Sequence, residues 1–178
     1  LDKLGLEMPA TLDEFYEVLK AFKTWDPNGN GEADEIPFAC TQDFLYYFIP
    51  NFDIVIDNNC GSSNMALIDG EYQHLYSSER YKEFLAYMRK LYAEGLLDPN
   101  TFIQNGEQIH AVGQSGDTIG FFFDLASYLT VGRERDADFV RVPVFADHVL
   151  PFSLAVVPGT LAITDKCEHP ELVMAWAD

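Results

Sequence analysis

Two long segments of the chain carry apolar residues at the spacing of an amphipathic helix. In residues 12–24 these side chains fall on one helical face: Leu12, Phe15, Val18, Leu19 and Phe22. Thr11 and Glu14 form the Thr-x-x-Glu pattern of a capping box at the start of this segment, with the Glu14 side chain reaching back. The period and the cap together predict a helix over 12–24.

The second amphipathic segment covers residues 79–94. Ser78 precedes it as a cap, and Gly95 follows it as a helix end. Its predicted buried stripe consists of Tyr81, Phe84, Leu85, Met88, Leu91 and Tyr92. Shorter signals predict an aromatic helix over residues 41–49 that Pro50 ends, and a last helix that begins at Pro170.

Strand signals alternate with these helices. Residues 65–76 are predicted to form a hairpin, because Asp69-Gly70 makes a two-residue turn between two strand-like runs. Residues 118–123 form a strongly apolar strand candidate, and 139–145, 152–157 and 161–164 form further ones. The alternation of helices and strands predicts an α/β fold, with α+β as the alternative.

Composition and charge narrow the class of protein. The chain has 178 residues, of which 48% are hydrophobic and 14% aromatic, enough to fill a real core. It carries 11 Lys plus Arg against 29 Asp plus Glu, a net charge of −18, which disfavours nucleic acid and anionic membrane surfaces as partners. Cys40, Cys60 and Cys167 form no zinc or redox motif; a Cys40–Cys60 bridge and free thiols both stay open.

The loop WDPNGNGEADEIP at residues 25–37 places oxygen donors at alternate positions. The donors are Asp26, Asn28, Asn30, Glu32, Asp34 and, beside the last, Glu35. With Asp26 as position 1 they match an EF-hand calcium loop with Gly31 at its sharp turn, and Glu32 would donate its backbone carbonyl. The usual position-12 Glu is replaced by Pro37, so Glu35 is the available substitute. The alternative is an ordinary polar turn.

Several of these stretches resemble one family. The opening LDKLGLEMPATLDEFYEVLKAF with its DPNGNGEADEIP loop is similar to the extracellular solute-binding proteins of carbohydrate ABC importers, most of all the alginate-binding and surface-lipoprotein kind. The stretches ALIDGEYQHLYSSERYKEFLAYMRKLYAEGLLDP, GDTIGFFFDLASYL and LAITDKCEHPELVMAWAD agree with this resemblance. Together they cover most of the chain.

The resemblance implies a type II periplasmic-binding-protein-like fold, in which two lobes clasp a carbohydrate between them. Residues 1–178 would form a single lobe, most of the C-terminal one, and we expect both termini to be cut from a longer protein. It further implies an extracytoplasmic protein, a cell-surface lipoprotein or a periplasmic one, that is a monomer and delivers its ligand to a membrane permease. In the alginate-binding relatives the corresponding loop holds a structural calcium ion. The resemblance therefore implies that the six residues named above are the calcium ligands in this chain.

Candidate sugar contacts follow from the chemistry of sugar sites, which need flat apolar faces and planar polar groups. Phe123 and Asp124 end a strand, and ligands of this class bind beyond strand carboxyl ends. Phe123 or Tyr128 is the candidate stacking face and Asp124 the candidate hydroxyl acceptor, while Tyr47 of the aromatic helix is a candidate to line the cleft. The alternatives are core packing for the phenylalanines and a helix cap for Asp124.

Two other functions are open at this point. One is a fragment of a glycoside hydrolase acting through paired carboxylates, and the other a calcium-dependent adhesion or scaffold module. With 29 acidic residues, carboxylate pairs carry little weight, and no nucleophile elbow, P-loop or glycine-rich dinucleotide motif is present. We therefore expect that the chain is not an enzyme.

Overall fold

The computed structural model describes residues 1–56, 64–142, 145 and 163–177. The helices are α1 (Leu12–Thr24), α2 (Glu79–Ala93), α3 (Gly106–Ser115), α4 (Ser127–Val131) and α5 (Pro170–Ala177). The strands are β1 (Ile36–Ala39), β2 (Ile54–Val55), β3 (Met65–Ile68), β4 (Glu71–His74) and β5 (Ile119–Phe122). Short 3₁₀ helices cover Asp2–Leu4, Asp43–Phe52, Leu75–Ser77 and Asp136–Asp138.

The predicted helix caps are present. The Thr11 hydroxyl accepts from the Glu14 N–H at 3.1 Å, and the Glu14 carboxylate turns back to accept the N–H of Ala10 at 2.7 Å. Ser78 caps α2 in the same way, accepting from the Tyr81 N–H at 3.2 Å. These bonds satisfy N–H groups that have no partner inside the helix, so α1 and α2 begin where the sequence predicts.

The strands form two small sheets. β1 and β5 pair in parallel, with Phe38 opposite Phe121, while β2, β3 and β4 are antiparallel in that order. The predicted hairpin is confirmed: Asp69 and Gly70 both have positive φ, 52° and 82°, as a two-residue turn between twisted strands requires. Parallel and antiparallel pairs with helices between them make the described fold a mixed α/β structure.

An aromatic cluster fills the core between α1, the β1/β5 pair and the 3₁₀ helix Asp43–Phe52. Phe15, Phe38 and Phe48 are 1%, 0% and 1% exposed. The ring of Phe121 lies 4.9 Å, centroid to centroid, from those of both Phe15 and Phe38, in edge-to-face arrangements. This packing fixes the position of β5, and with it the chain that follows the strand.

The prediction that Pro50 ends the aromatic helix was wrong. The segment is a 3₁₀ helix, Asp43–Phe52, with Pro50 inside it. The fixed φ of proline is compatible with 3₁₀ geometry, and only one backbone donor is lost. The helix instead ends at Asp53, which adopts a left-handed conformation with φ 60°.

Other predictions also need correction. Leu85 and Tyr92 are 49% and 45% exposed, so the buried stripe of α2 narrows to Phe84, Met88 and Leu91, because the neighbouring elements cover only one side of the helix. Within the described residues β5 pairs with β1 alone, and residues 139–142 and 163–164 are not part of a strand. The candidate at 152–157 and residues 161–162 of the last candidate lie outside the described residues.

No helix in the described part of the chain has the length and apolar character needed to span a membrane.

Candidate functional site

The loop after α1 folds around its own side chains. Both carboxylate oxygens of Asp26 accept backbone N–H groups: Oδ1 from Gly29 at 2.7 Å and Asn30 at 3.1 Å, and Oδ2 from Gly31 at 2.8 Å. The Asn30 Oδ1 accepts the Glu32 N–H at 2.7 Å. Gly29 and Gly31 have φ 76° and 78°, a conformation that side chains disfavour, so the glycines allow this tight winding.

The far end of the loop returns to these groups. Asp34 accepts from the Asn28 amide at 3.3 Å and from the Asn30 amide at 3.1 Å. The Glu35 Oε1 is buried and has no hydrogen-bond partner among the described residues, which leaves an unmet acceptor in the loop. Asp26, Asn28, Asn30 and Asp34 therefore belong to one hydrogen-bonded network.

The carboxylate and amide oxygens of this loop are the kinds of ligand that a hard cation such as calcium prefers. Within the described residues no three His, Cys, Asp or Glu side chains lie in a metal-holding group. A cation at the loop would therefore also need the oxygens of Asn28 and Asn30 and a backbone carbonyl, as calcium loops commonly provide. Within the described part of the loop, the buried Glu35 oxygen without a partner is the structural observation that favours a further ligand there.

The phenylalanines of β5 divide between two clusters. Phe121 and Phe123 pack on the main aromatic cluster, whereas Phe122 packs on a smaller one with Ala39, Ile109 and Ile119. This is the alternation of faces that the sequence predicts. Phe123 lies at the edge of its cluster, with its ring 5.9 Å from Phe38 and 6.3 Å from Tyr47.

Tyr47 and Tyr128 present aromatic surface to solvent, being 60% and 39% exposed. Tyr47 borders a cavity of about 50 Å³ that Phe123 also lines. Phe123, Asp124 and Tyr128 all line a wide groove of about 1460 Å³ beyond β5. Three of the four predicted contacts thus share one groove, and Tyr47 joins them through Phe123.

Asp124 is nearly buried and is held by three donors. Its side chain is 8% exposed. Oδ2 accepts from the Thr130 hydroxyl at 2.7 Å and lies 2.8 Å from His110 Nε2, while Oδ1 accepts the Leu125 N–H at 2.7 Å. Sequence reasoning missed His110 and Thr130, because His110 belongs to another helix and neither residue lies in a motif.

The basic residues near the groove already have protein contacts. Arg135 donates to the carbonyls of Gly113 and Gly116 and pairs with Asp117 at 3.4 Å. The Arg133 guanidinium lies over the Tyr128 ring, 5.0 Å from its centroid. Arg135 therefore holds α3 in place, and Arg133 occupies one face of the Tyr128 ring.

The Cys40 thiol is not an activated nucleophile. It is free and buried, and burial raises its pKa to about 12, which keeps the sulfur protonated and unreactive.

Comparison with known proteins places this geometry in context. No protein-family model matches the chain. The fructooligosaccharide ABC transporter substrate-binding protein FusA of Streptococcus pneumoniae is 32% identical over 192 residues, which span 100% of this chain and 34% of FusA. The polygalacturonan/rhamnogalacturonan-binding protein YtcQ of Bacillus subtilis is 30% identical over 127 residues, 70% of this chain and 25% of YtcQ.

The chain is homologous to part of the solute-binding proteins of carbohydrate ABC transporters. It spans about a third or less of the length of these relatives. The homologues are non-catalytic solute-binding proteins, in agreement with the prediction that the chain is not an enzyme.

Solved structures agree over most of the chain. An extracellular solute-binding protein from Bifidobacterium longum subsp. infantis is 33% identical and matches 76% of this chain and 30% of its own, with a TM-score of 0.67. An EF-hand mutant of FusA in complex with fructo-nystose is 32% identical, with a TM-score of 0.56 over 74% of this chain and 27% of its own. FusA therefore has an EF-hand.

Proposed function

We propose that the chain is a lobe of a non-catalytic, extracytoplasmic solute-binding protein that captures an oligosaccharide for an ABC importer. The homology to carbohydrate-binding relatives supports the class of ligand. The observation that carries the proposal is the groove beyond β5, which is lined by the aromatic residues Phe123 and Tyr128 and by Asp124. Sugar sites combine these two kinds of group.

The residues have separate roles in this proposal. Phe123 and Tyr128 stack on the apolar side of sugar rings, and Tyr47 extends that surface next to Phe123. Asp124 accepts a sugar hydroxyl. A second lobe would supply the opposite wall, and closing the two lobes would bury most of the ligand.

Calorimetry with fructo-nystose, and with neutral and uronic oligosaccharides of similar length, tests this function. The 178-residue chain should bind weakly or undetectably, whereas a two-lobed protein that contains it should bind one of these sugars in the micromolar range or tighter. Losing four hydrogen bonds of about 0.5–1.5 kcal/mol each lowers affinity about 30-fold to over 10⁴-fold. Equal affinity of the two proteins would show that one lobe holds the entire site.

Two other outcomes would replace the proposal. Release of reducing sugar that stops on mutation of one carboxylate in this chain would identify a glycoside hydrolase. Self-association that depends on calcium, without sugar binding, would identify an adhesion or scaffold module.

We further propose that the loop after α1 holds one structural calcium ion. The EF-hand of FusA and the buried Glu35 oxygen without a partner among the described residues support this. The proposed ligands are Asp26, Asn28, Asn30, the Glu32 carbonyl, Asp34 and Glu35. Bound calcium would neutralise part of the loop's negative charge and rigidify it. Calcium titration should show one site that Asp26→Ala removes and that Asp43→Ala, an exposed carboxylate outside the loop, retains.

The location and partners follow from the same homology and remain proposals. The protein would be a monomer, as a cell-surface lipoprotein or a periplasmic protein, and its protein partner would be the membrane permease of the importer. Residues 1–178 would form most of the C-terminal lobe. Limited proteolysis of a longer protein should release a stable fragment that contains residues 1–178.

A further inference from the structure

Three elements meet at the Asp124 carboxylate. Asp124 follows β5, His110 lies on α3 and Thr130 on α4. Thr130 is 1% exposed, while the His110 side chain is 34% exposed. Hydrogen bonds from two other elements restrict the side-chain torsions of Asp124. Those elements therefore set the orientation of its carboxylate.

Counting acceptor sites shows which oxygen remains available. An ionised carboxylate has about four lone-pair sites and donates nothing, so His110 Nε2 and the Thr130 hydroxyl must both be donors. Both bonds fall on Oδ2, which fills its two sites. Among the described residues Oδ1 accepts the Leu125 N–H alone, so it keeps one site. Asp124 lines the groove, and Leu125 beside it is 89% exposed.

The position of His110 is itself held firmly. A Cβ at Gly113, one turn further along α3, would lie 2.4 Å from the Thr130 carbonyl oxygen, so α3 and α4 touch backbone to backbone. Gln114 donates to the Leu129 carbonyl at 2.8 Å, and Arg135 donates to the Gly113 carbonyl. The imidazole therefore approaches Asp124 from a helix that cannot shift easily.

We propose that His110 is a positioning residue for ligand capture: its Nε2 donor holds Asp124 Oδ2, so that the open site on Oδ1 serves a ligand hydroxyl in the groove. This rests on the proposed function, because it assumes that the groove binds a sugar. The terminal torsion of an aspartate is soft and roughly two-fold. Without His110, the donors that still hold the plane of the carboxylate among the described residues are the Thr130 hydroxyl and the N–H of the adjacent Leu125.

A matched pair of variants separates positioning from packing. His110→Gln keeps an Nε2 donor at a similar reach, whereas His110→Phe keeps a ring of similar size and loses the donor. The probe is whichever of fructo-nystose and the neutral and uronic oligosaccharides binds the two-lobed wild-type protein most tightly. Binding is measured well below the melting temperature of every variant.

We expect His110→Phe to raise the dissociation constant about tenfold, the effect of roughly one hydrogen bond to a charged group. His110→Gln should stay within about threefold of wild type, and Asp124→Ala should weaken binding at least as much as His110→Phe. His169→Phe serves as a control, because His169 is exposed and its partner among the described residues is the exposed Glu171, two positions along the chain. The imidazole ¹⁵N spectrum should show His110 protonated at Nε2, and Asp124→Ala should move the Nε2 resonance because the hydrogen bond to the carboxylate is lost.

The failures are distinguishable. If Asp124→Ala weakens binding and His110→Phe does not, the positioning role is wrong and the proposed function stands. If His110→Gln and His110→Phe weaken binding equally, the role of His110 is packing, which also overturns the inference. If Asp124→Ala binds normally, the carboxylate is not part of the site. If the wild type binds none of the sugars, the proposed function fails and this inference with it.

Discussion

The loop around Asp26 and the end of β5 around Asp124 both wrap donors about a carboxylate, but they do so in opposite ways. The donors to Asp26 come from residues three to five positions away and are exposed. Asp124 is nearly buried, and its imidazole donor lies 14 residues away on a separate helix. The loop is therefore a local structure whose polar groups can also form hydrogen bonds with water. The Asp124 cluster, in contrast, exists only when three elements have assembled.

This difference predicts how the stability of each region responds to a substitution or to the removal of a ligand. A buried acceptor that is removed leaves its donors without partners, and the penalty is large because water cannot easily replace it. An exposed loop loses less when one bond is removed, but a charged loop can gain much from a bound cation.

The largest effect should come from breaking the buried cluster. Asp124→Ala removes the acceptor of three hydrogen bonds, from Thr130, His110 and the Leu125 N–H. A hydrogen bond to a charged group is worth about 1.5–3 kcal/mol, and we expect a total loss of about 3 kcal/mol because water can reach the partly exposed His110 and the exposed Leu125. Urea denaturation measures it. Asp138→Ala, an exposed carboxylate nearby, is the control and should stay within about 0.5 kcal/mol. A loss under about 1 kcal/mol for Asp124→Ala would show that the donors find other partners.

Removing calcium should have the next largest effect on the free energy of unfolding, and this effect should depend on the ligands in the loop after α1. At a calcium concentration about 100 times the dissociation constant, binding to the folded form adds about 2.7 kcal/mol. A chelator should therefore lower the melting temperature of the wild type and leave Asp26→Ala unchanged. The site would be refuted by a chelator-insensitive melting curve from a sample that metal analysis had shown to contain calcium.

Gly113→Ala tests the close contact that holds His110 near Asp124. The added Cβ would meet the Thr130 carbonyl oxygen at 2.4 Å, and overpacking of this kind costs about 1–3 kcal/mol. The better helix propensity of alanine returns about 1 kcal/mol, so we expect a net loss of about 0–2 kcal/mol. Gly106→Ala, on the same helix with nothing within 4 Å, should not destabilise the protein. Equal stability of the two variants would contradict a tight contact between α3 and α4.

A smaller effect is expected at a purely local contact. Thr11→Ala removes the cap of α1 and should cost about 1 kcal/mol in a denaturation experiment. Thr11→Ser keeps the hydroxyl and should cost a few tenths of a kcal/mol at most, roughly the difference between the two caps. If both variants lose the same stability, the Thr11 methyl group and not its oxygen is what matters.

The smallest effect concerns a contact that is long-range but exposed. The Tyr16 hydroxyl donates to Glu94 at 2.6 Å, which, with partial desolvation and nearby carboxylates, raises its pKa from 10 to about 12. The neutral phenol is favoured in the folded state, so its stabilising contribution is present below about pH 10 and is lost as the pH rises towards 12. Glu94→Ala should move this phenol's absorbance transition back towards pH 10, and an unmoved transition would assign the shift to another tyrosine.

Local rules account for much of the fold. The caps of α1 and α2 and the Asp69-Gly70 turn depend on side-chain and backbone chemistry within four residues, so the sequence alone predicts them. The Asp26 network has the same character, and so does the division of Phe121 and Phe122 between two faces.

The predictions that failed depend on what lies across the fold. Whether Leu85 is covered depends on the elements packed on α2, and whether Pro50 ends a helix depends on the type of helix that the surrounding core favours. The sequence pattern marks a residue as apolar or helix-breaking, but it does not say which neighbour will reach it.

For the candidate site, the sequence by itself determined the types of side chain and their order after β5: Phe123, Asp124 and Tyr128. Only the tertiary structure decided that His110 and Thr130 donate to the Asp124 carboxylate, and that Arg133 covers one face of Tyr128. The physical reason is that a buried charge must find donors wherever the packed chain brings them. The packing of α3 on α4 brings those donors to the carboxylate, and their spacing along the sequence does not predict this.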